Sequence, residues 1–222
     1  MLDHREEETR ETHAQLRIKS TMAKVIGSLA AILVLVAGLC LVAGAGDRCP
    51  GVPSMTAEKA CKAVCGTAHM RSLCLRTLLP RAGGDDGHGR RDRRGPVTYY
   101  VGVAAHSALD AYAATAAAKR KMEYSGALPE DERTAHERCM AGYNLASRFM
   151  SRLANVLTTS CDDIDAAQLT QDYKGSLRGM DACRRKLFAF PASPLYYRNL
   201  ADRNKTLLAA LLCTLVSNPS ET

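Results

Sequence analysis

From Val97 onward the apolar positions recur at steps of three and four almost to the end of the chain. Val97, Val101, Ala104, Ala108 and Tyr112 share one side of a helix that the spacing carries to Glu123, where Gly126 and Pro129 end it. A second long helix has Ala135, Cys139, Tyr143, Ala146, Leu153 and Leu157 at the same spacing. Ser160 then stands three residues ahead of Asp163, the pattern of a helix start, and a third helix aligns Tyr173, Leu177, Met180, Cys183 and Leu187 before Pro191 and Pro194 interrupt it. The last runs from about Leu200 to Val216. Four amphipathic helices with short connections pack most simply as an up-and-down four-helix bundle, so the fold class expected is all-α. Ahead of them, a helical stretch from Thr56 to Leu79 is stopped by Pro80.

Two segments break this pattern. From Arg81 to Pro96 the chain turns to Gly, Asp and Arg, which predicts a flexible charged loop over 81–96. Val25 to Ala43 is an unbroken apolar run, entered through Arg17, Lys19 and Lys24 and left through Ala43-Gly44-Ala45, a small-x-small cleavage pattern. Residues 1–45 are therefore read as an N-terminal extension and signal peptide, and 46–222 as the mature domain. The run is also long enough to span a bilayer, so an uncleaved anchor is the rival reading and the one circumstance that would bring a membrane partner.

Charge stays with the mature part. The chain has 30 Lys and Arg against 23 Asp and Glu, a net +7, and residues 1–45 hold equal numbers of each sign. A basic exported domain is expected to linger near acidic polymers such as wall polyuronides or to meet acidic partner surfaces. Nucleic acid is not expected as a partner, because the basic residues are not interleaved with stacking aromatics.

Of the 9 cysteines, Cys40 lies in the apolar run, which leaves an even set suited to disulfides in an exported chain. Spacing does not choose among the pairings, and no Cys-x-x-Cys pair suggests zinc. Geometry restricts two of them. Cys65 and Cys74 are too far apart to bond along one continuous helix, so a bond between them requires a kink near Gly66 to Arg71. Cys139 and Cys183 lie on core-facing stripes of successive helices that antiparallel packing would bring together.

Three segments carry a resemblance. Cys65-Gly-Thr67, continuing to Cys74 and Leu78, resembles the opening of the plant invertase and pectin methylesterase inhibitor family. Cys139-Met-Ala-Gly-Tyr143-Asn-Leu-Ala146 is similar to that family's Cys-x-x-x-Tyr-x-x-Ala helix, and Asp181-Ala-Cys183 with Leu187 and Phe188 resembles its next one. His69-Met70-Arg71 departs from the aromatic-Pro pair common there. The resemblance implies an N-terminal helical hairpin followed by the four-helix bundle, with Cys65 bonded to Cys74 and Cys139 to Cys183. It implies an inhibitor without cofactor or chemistry of its own, secreted to the apoplast or delivered to the vacuole, that blocks the substrate cleft of pectin methylesterase or acid invertase. Ser193-Pro194-Leu195 with Arg198-Asn199 resembles a stretch common in the invertase inhibitors, while both targets remain open.

A cleft-blocking surface has to be preformed, since ordering loops on binding costs affinity. The partner-binding candidates are Gln168, Asp172, Gly175 and Arg178 on the outer face of the third long helix and the loop from Ser193 through Pro194 and Leu195 to Arg198. Asn204-Lys205-Thr206 is a glycosylation sequon inside a predicted helix. A catalytic reading finds no Gly-x-Ser-x-Gly, and His69, His88, His106 and His136 are expected on helix surfaces or in the loop. The alternative function is a helical ectodomain on an uncleaved anchor, acting as an interaction module.

Overall fold

The computed structural model describes residues 52–79, 94–124, 126, 128–159 and 165–217, all within one compact unit, Arg48–Thr222. Residues 1–45, read as the leader, together with Cys49, Cys161 and most of the charged loop expected at 81–96, lie outside the described residues.

The described residues of this unit form six helices: α1 (Ala57–Val64), α2 (Ala68–Leu78), α3 (Val97–Tyr124), α4 (Glu130–Thr159), α5 (Ala166–Leu187) and α6 (Pro194–Ser217). Each of the last four packs on its neighbour in sequence, and α6 closes on α3, giving the up-and-down bundle. α1 and α2 form the N-terminal hairpin, which rests on α3 and α6. The expected single stretch from Thr56 is divided because Thr67 starts a new helix, its hydroxyl accepting the Met70 N–H as the Thr56 hydroxyl accepts that of Lys59.

One feature has no helical precedent in the sequence. Ser54–Met55 (β1) pairs antiparallel with Gly95–Pro96 (β2), so the end of the charged segment is strand, not loop. The Val97 N–H donates to the Pro53 carbonyl and the Tyr100 hydroxyl to that of Met55, which fixes the entry segment against the first turn of α3.

Two helix starts differ from expectation. Asp165 caps α5, its carboxylate accepting the Ala167 N–H at 2.8 Å, and Ser160 lies outside the described residues. α6 begins at Pro194, not near Leu200, because proline at the first helical position gives up an N–H that has no partner there.

The core is aliphatic and small-residue rich, with Tyr143, Met150, Leu153, Met180 and Leu212 fully buried at its centre. Its tightest seam joins α4 to α5. A Cβ added to Gly142 would lie 2.4 Å from the Gly179 carbonyl oxygen, and one added to Gly179 would lie 2.5 Å from that of Gly142. Cys139 and Cys183 are bonded across this seam, with Cα atoms 3.8 Å apart.

The second bond corrects the sequence reading. Cys74 pairs with Cys61, not with Cys65. Cys61 lies inside α1 and is fully buried, whereas Cys65 is the C-cap, where the backbone turns extended and carries its side chain off the helix. Cys65 is left as a half-buried thiol, its pKa raised by burial against the opposing pull of Arg71. Changing Cys65 to Ser is expected to leave both disulfides intact and stability within about 0.5 kcal/mol of the parent. A non-reducing peptide map with a thermal melt checks this; a Cys65–Cys74 peptide in the parent would overturn it.

The two bonds mark a chain that folds in an oxidising, secretory-type compartment. No helix among the described residues is long and apolar enough to cross a membrane.

Candidate functional site

The candidate positions divide between inward and outward directions. Asp172 is buried, its Oδ1 accepting from Nε and Nη2 of Arg152 on α4 at 3.0 and 2.7 Å, while that guanidinium lies over the Phe149 ring. Gly175 is buried as well, because the Phe149 ring fills the space a side chain would need. Both are removed from the proposed outer face. Gln168 is half-buried and borders a shallow groove of about 370 Å³ with Arg152, Asn155 and Gln171, whereas Arg178 is exposed as expected.

The segment after α5 divides similarly. Leu195 is fully buried in the core and Ser193 is buried at 4% exposure, so neither presents a side chain to a partner. Pro194 and Arg198 face solvent, joined by Tyr197 at 63% and Phe188 at 55% exposure. The connection is knit by successive turns: Phe190 N–H donates to Leu187 O, Ser193 N–H to Phe190 O and Tyr196 N–H to Ser193 O, all within 3.0 Å. The result is a preformed edge in which Phe188 and Tyr197, which sequence reasoning did not select, are the large apolar groups. An aromatic residue at a helix end gives no periodic signal of exposure.

His136 is the largest departure. Expected on a helix surface, it is fully buried, with Nε2 2.9 Å from Ser193 Oγ and 3.4 Å from Glu132 Oε1. A nucleophile relay sets the acid and the hydroxyl on opposite ring nitrogens. Here both meet Nε2 and the buried Nδ1 has no partner among the described residues, so the arrangement ties α4 to the start of α6. Burial lowers the His136 pKa, opposed by Glu132 and Glu123 and reinforced by Lys119.

A second polar network crosses the core. Asp202 Oδ2 accepts from Thr115 at 2.7 Å and Tyr143 at 2.8 Å, while Thr206, bonded to the Tyr112 hydroxyl, donates to the Asp202 carbonyl oxygen. Burial raises the Asp202 carboxyl, against the hydrogen bonds from Thr115 and Tyr143 and the charges of Lys205 and Arg198. Thr206 is fully buried, so the sequon at Asn204 has its hydroxyl enclosed, and the Asn204 amide lies 3.5 Å from His69 Nε2.

These two groups impose opposite pH dependences. Native Asp202 keeps its proton where the unfolded chain has lost it, so its contribution is complete below about pH 4 and is lost as pH rises through the raised value. His136 takes up a proton in the unfolded chain at about pH 6.5 but later in the native one, so its contribution is lost as pH falls below that point. Between about pH 4 and 6.5, Asp202→Asn is expected to make stability rise more steeply with pH than in the parent, and His136→Gln to make it rise less steeply. Thermal midpoints at constant ionic strength test this. Parallel curves for all three proteins would refute it.

Among the described residues no group of three or more His, Cys, Asp or Glu side chains converges as a metal site. No family model, curated protein or solved structure matches the chain.

Proposed function

We propose that the chain is an exported proteinaceous inhibitor that blocks the substrate cleft of a carbohydrate-active enzyme, a pectin methylesterase or an acid invertase, in the apoplast or vacuole. The reading rests on the motif resemblance and is supported above all by one observation. The architecture that the resemblance implies, a helical hairpin followed by an up-and-down bundle with Cys139 bonded to Cys183, is the architecture the chain adopts. The Cys61–Cys74 bond departs from the pattern, yet it ties the same two hairpin helices.

The contact surface in this reading is the edge formed by Phe188, Pro194, Tyr197 and Arg198, extended along α5 by Arg178. It combines large aromatic anchors with arginines held on α5 and α6 and joined by hydrogen-bonded turns, which keeps the ordering cost of binding small. Titrating purified pectin methylesterase and acid invertase with the oxidised protein tests the proposal, with a reduced and alkylated sample as control. Dose-dependent loss of one activity, absent from the control and weakened by Tyr197→Ala, is expected. Full activity of both enzymes in the presence of folded protein would reject both named targets.

A further inference from the structure

α5 contains two acidic residues, and each is neutralised by an arginine from a neighbouring helix. Asp172 is held by Arg152 of α4, and Asp181 is 2.7 Å from Arg203 of α6 and 3.7 Å from Arg184 on its own helix. Lys174, Arg178, Arg185 and Lys186, all exposed, have no ion-pair partner among the described residues. At 100° per residue Lys174, Arg178 and Arg185 fall within about 40° of one another, a line of cations roughly 16 Å long on the solvent side of α5 in which the one carboxylate, Asp181, is neutralised by Arg203. Phe188, at 55% exposure, ends the line on the same face.

We infer that the outer face of α5 binds a linear acidic polysaccharide, a polyuronide with a carboxylate on each sugar. Charge complementarity selects a polyanion: the line meets a series of negative groups and releases their counterions. Protein interfaces are built around an apolar centre depleted of charge. Between Gln171 and Arg185 this face exposes no large apolar residue, and charged groups occupy its middle, so it suits a hydrated chain lying along it better than a folded acidic protein. A nucleic acid strand would call for aromatics spaced between the cations, and the single ring at the end is placed instead to cover one sugar face. The disulfides put the chain in the secretory-type compartment where such polymers occur. This surface shares Arg178 and Phe188 with the inhibitory edge and adds Lys174 and Arg185, and its test reads polymer retention with no enzyme present, so it does not depend on any enzyme being blocked.

The experiment is retention of the oxidised protein on immobilised polygalacturonate across a salt gradient. The fully methyl-esterified polymer and poly-glutamate serve as comparison matrices. Binding to polygalacturonate and not to its neutral ester is expected. The triple variant Lys174→Gln, Arg178→Gln, Arg185→Gln should weaken it about tenfold and lower the salt slope by roughly two. An equal charge change on the exposed sides of α3 and α4, Arg120→Gln, Lys121→Gln, Arg138→Gln, should weaken it by no more than about threefold. The charge-keeping triple Lys174→Arg, Arg178→Lys, Arg185→Lys should bind as the parent does, which separates charge from any loss of fold. Equal weakening by both neutralising triples would reduce the effect to net charge and overturn the assignment. Failure to bind polygalacturonate would overturn it too, as would tighter binding to poly-glutamate, which would point to an acidic peptide.

Discussion

Replacing both Cys139 and Cys183 with alanine is expected to lower the stability of the fold by about 4 kcal/mol, from the entropy of the unfolded chain that a crosslink over 44 residues removes. Both side chains are fully buried, so alanine leaves no orphaned polar group and the loss measures the crosslink together with the small cavity. For a domain of this size the thermal midpoint should drop by about 12 °C. The Cys61–Cys74 bond closes only 13 residues, and its removal should cost about 3 kcal/mol. Denaturant melts of the two double variants check the order. A larger loss at Cys61 and Cys74 would mean that the hairpin, and not the α4–α5 seam, sets the stability of the unit.

Gly179→Ala is the second large effect. Its new methyl group would lie 2.5 Å from the Gly142 carbonyl oxygen and 2.8 Å from the Ala146 nitrogen, both backbone atoms that no rotamer change moves aside. The helices must separate, at about 3 kcal/mol, or roughly 10 °C in the thermal midpoint. Gly102→Ala in α3 is the control, since nothing lies within 4 Å of its added Cβ, and it should gain up to about 1 kcal/mol from helix propensity. A melt of Gly179→Ala within 1 or 2 °C of the parent, on the same rough scale, would show that the seam can open cheaply. A Cβ on Gly142 would meet the Cys183 nitrogen at 2.9 Å, so seam and disulfide are in contact and their combined variants should not add.

The four long helices were legible because each keeps an apolar stripe over several turns, and the Cys139–Cys183 pair was legible because both members fall on such stripes. Cys61 and Cys65 were not separable in the same way. They stand one helical turn apart on the same side, and the choice between them depends on α1 ending at Val64, which sets the direction of Cys65. Asp172 and Gly175 read as surface residues by type. What buries them is Arg152 and Phe149 on another helix, and a pairing across helices leaves no trace in local spacing. His136 escaped notice for the same reason: its partner Ser193 is 57 residues away. Arg178 is exposed because it lies opposite the apolar stripe of its helix, whereas Pro194 and Arg198, read as loop, are exposed within the first turns of α6.

The short β1–β2 pairing also bears on how the sequence can change. Leu79 and Arg94 border the same cavity of about 310 Å³ beside the pairing, so the two ends of the intervening segment are brought together by structure on either side of it. Closing a longer connection between fixed ends costs only about 0.6 kcal/mol for each doubling of its length. With both ends held in this way, a reporter peptide or small domain spliced in between Leu79 and Arg94 should cost the fold little, and length between these two anchors can drift as the protein evolves.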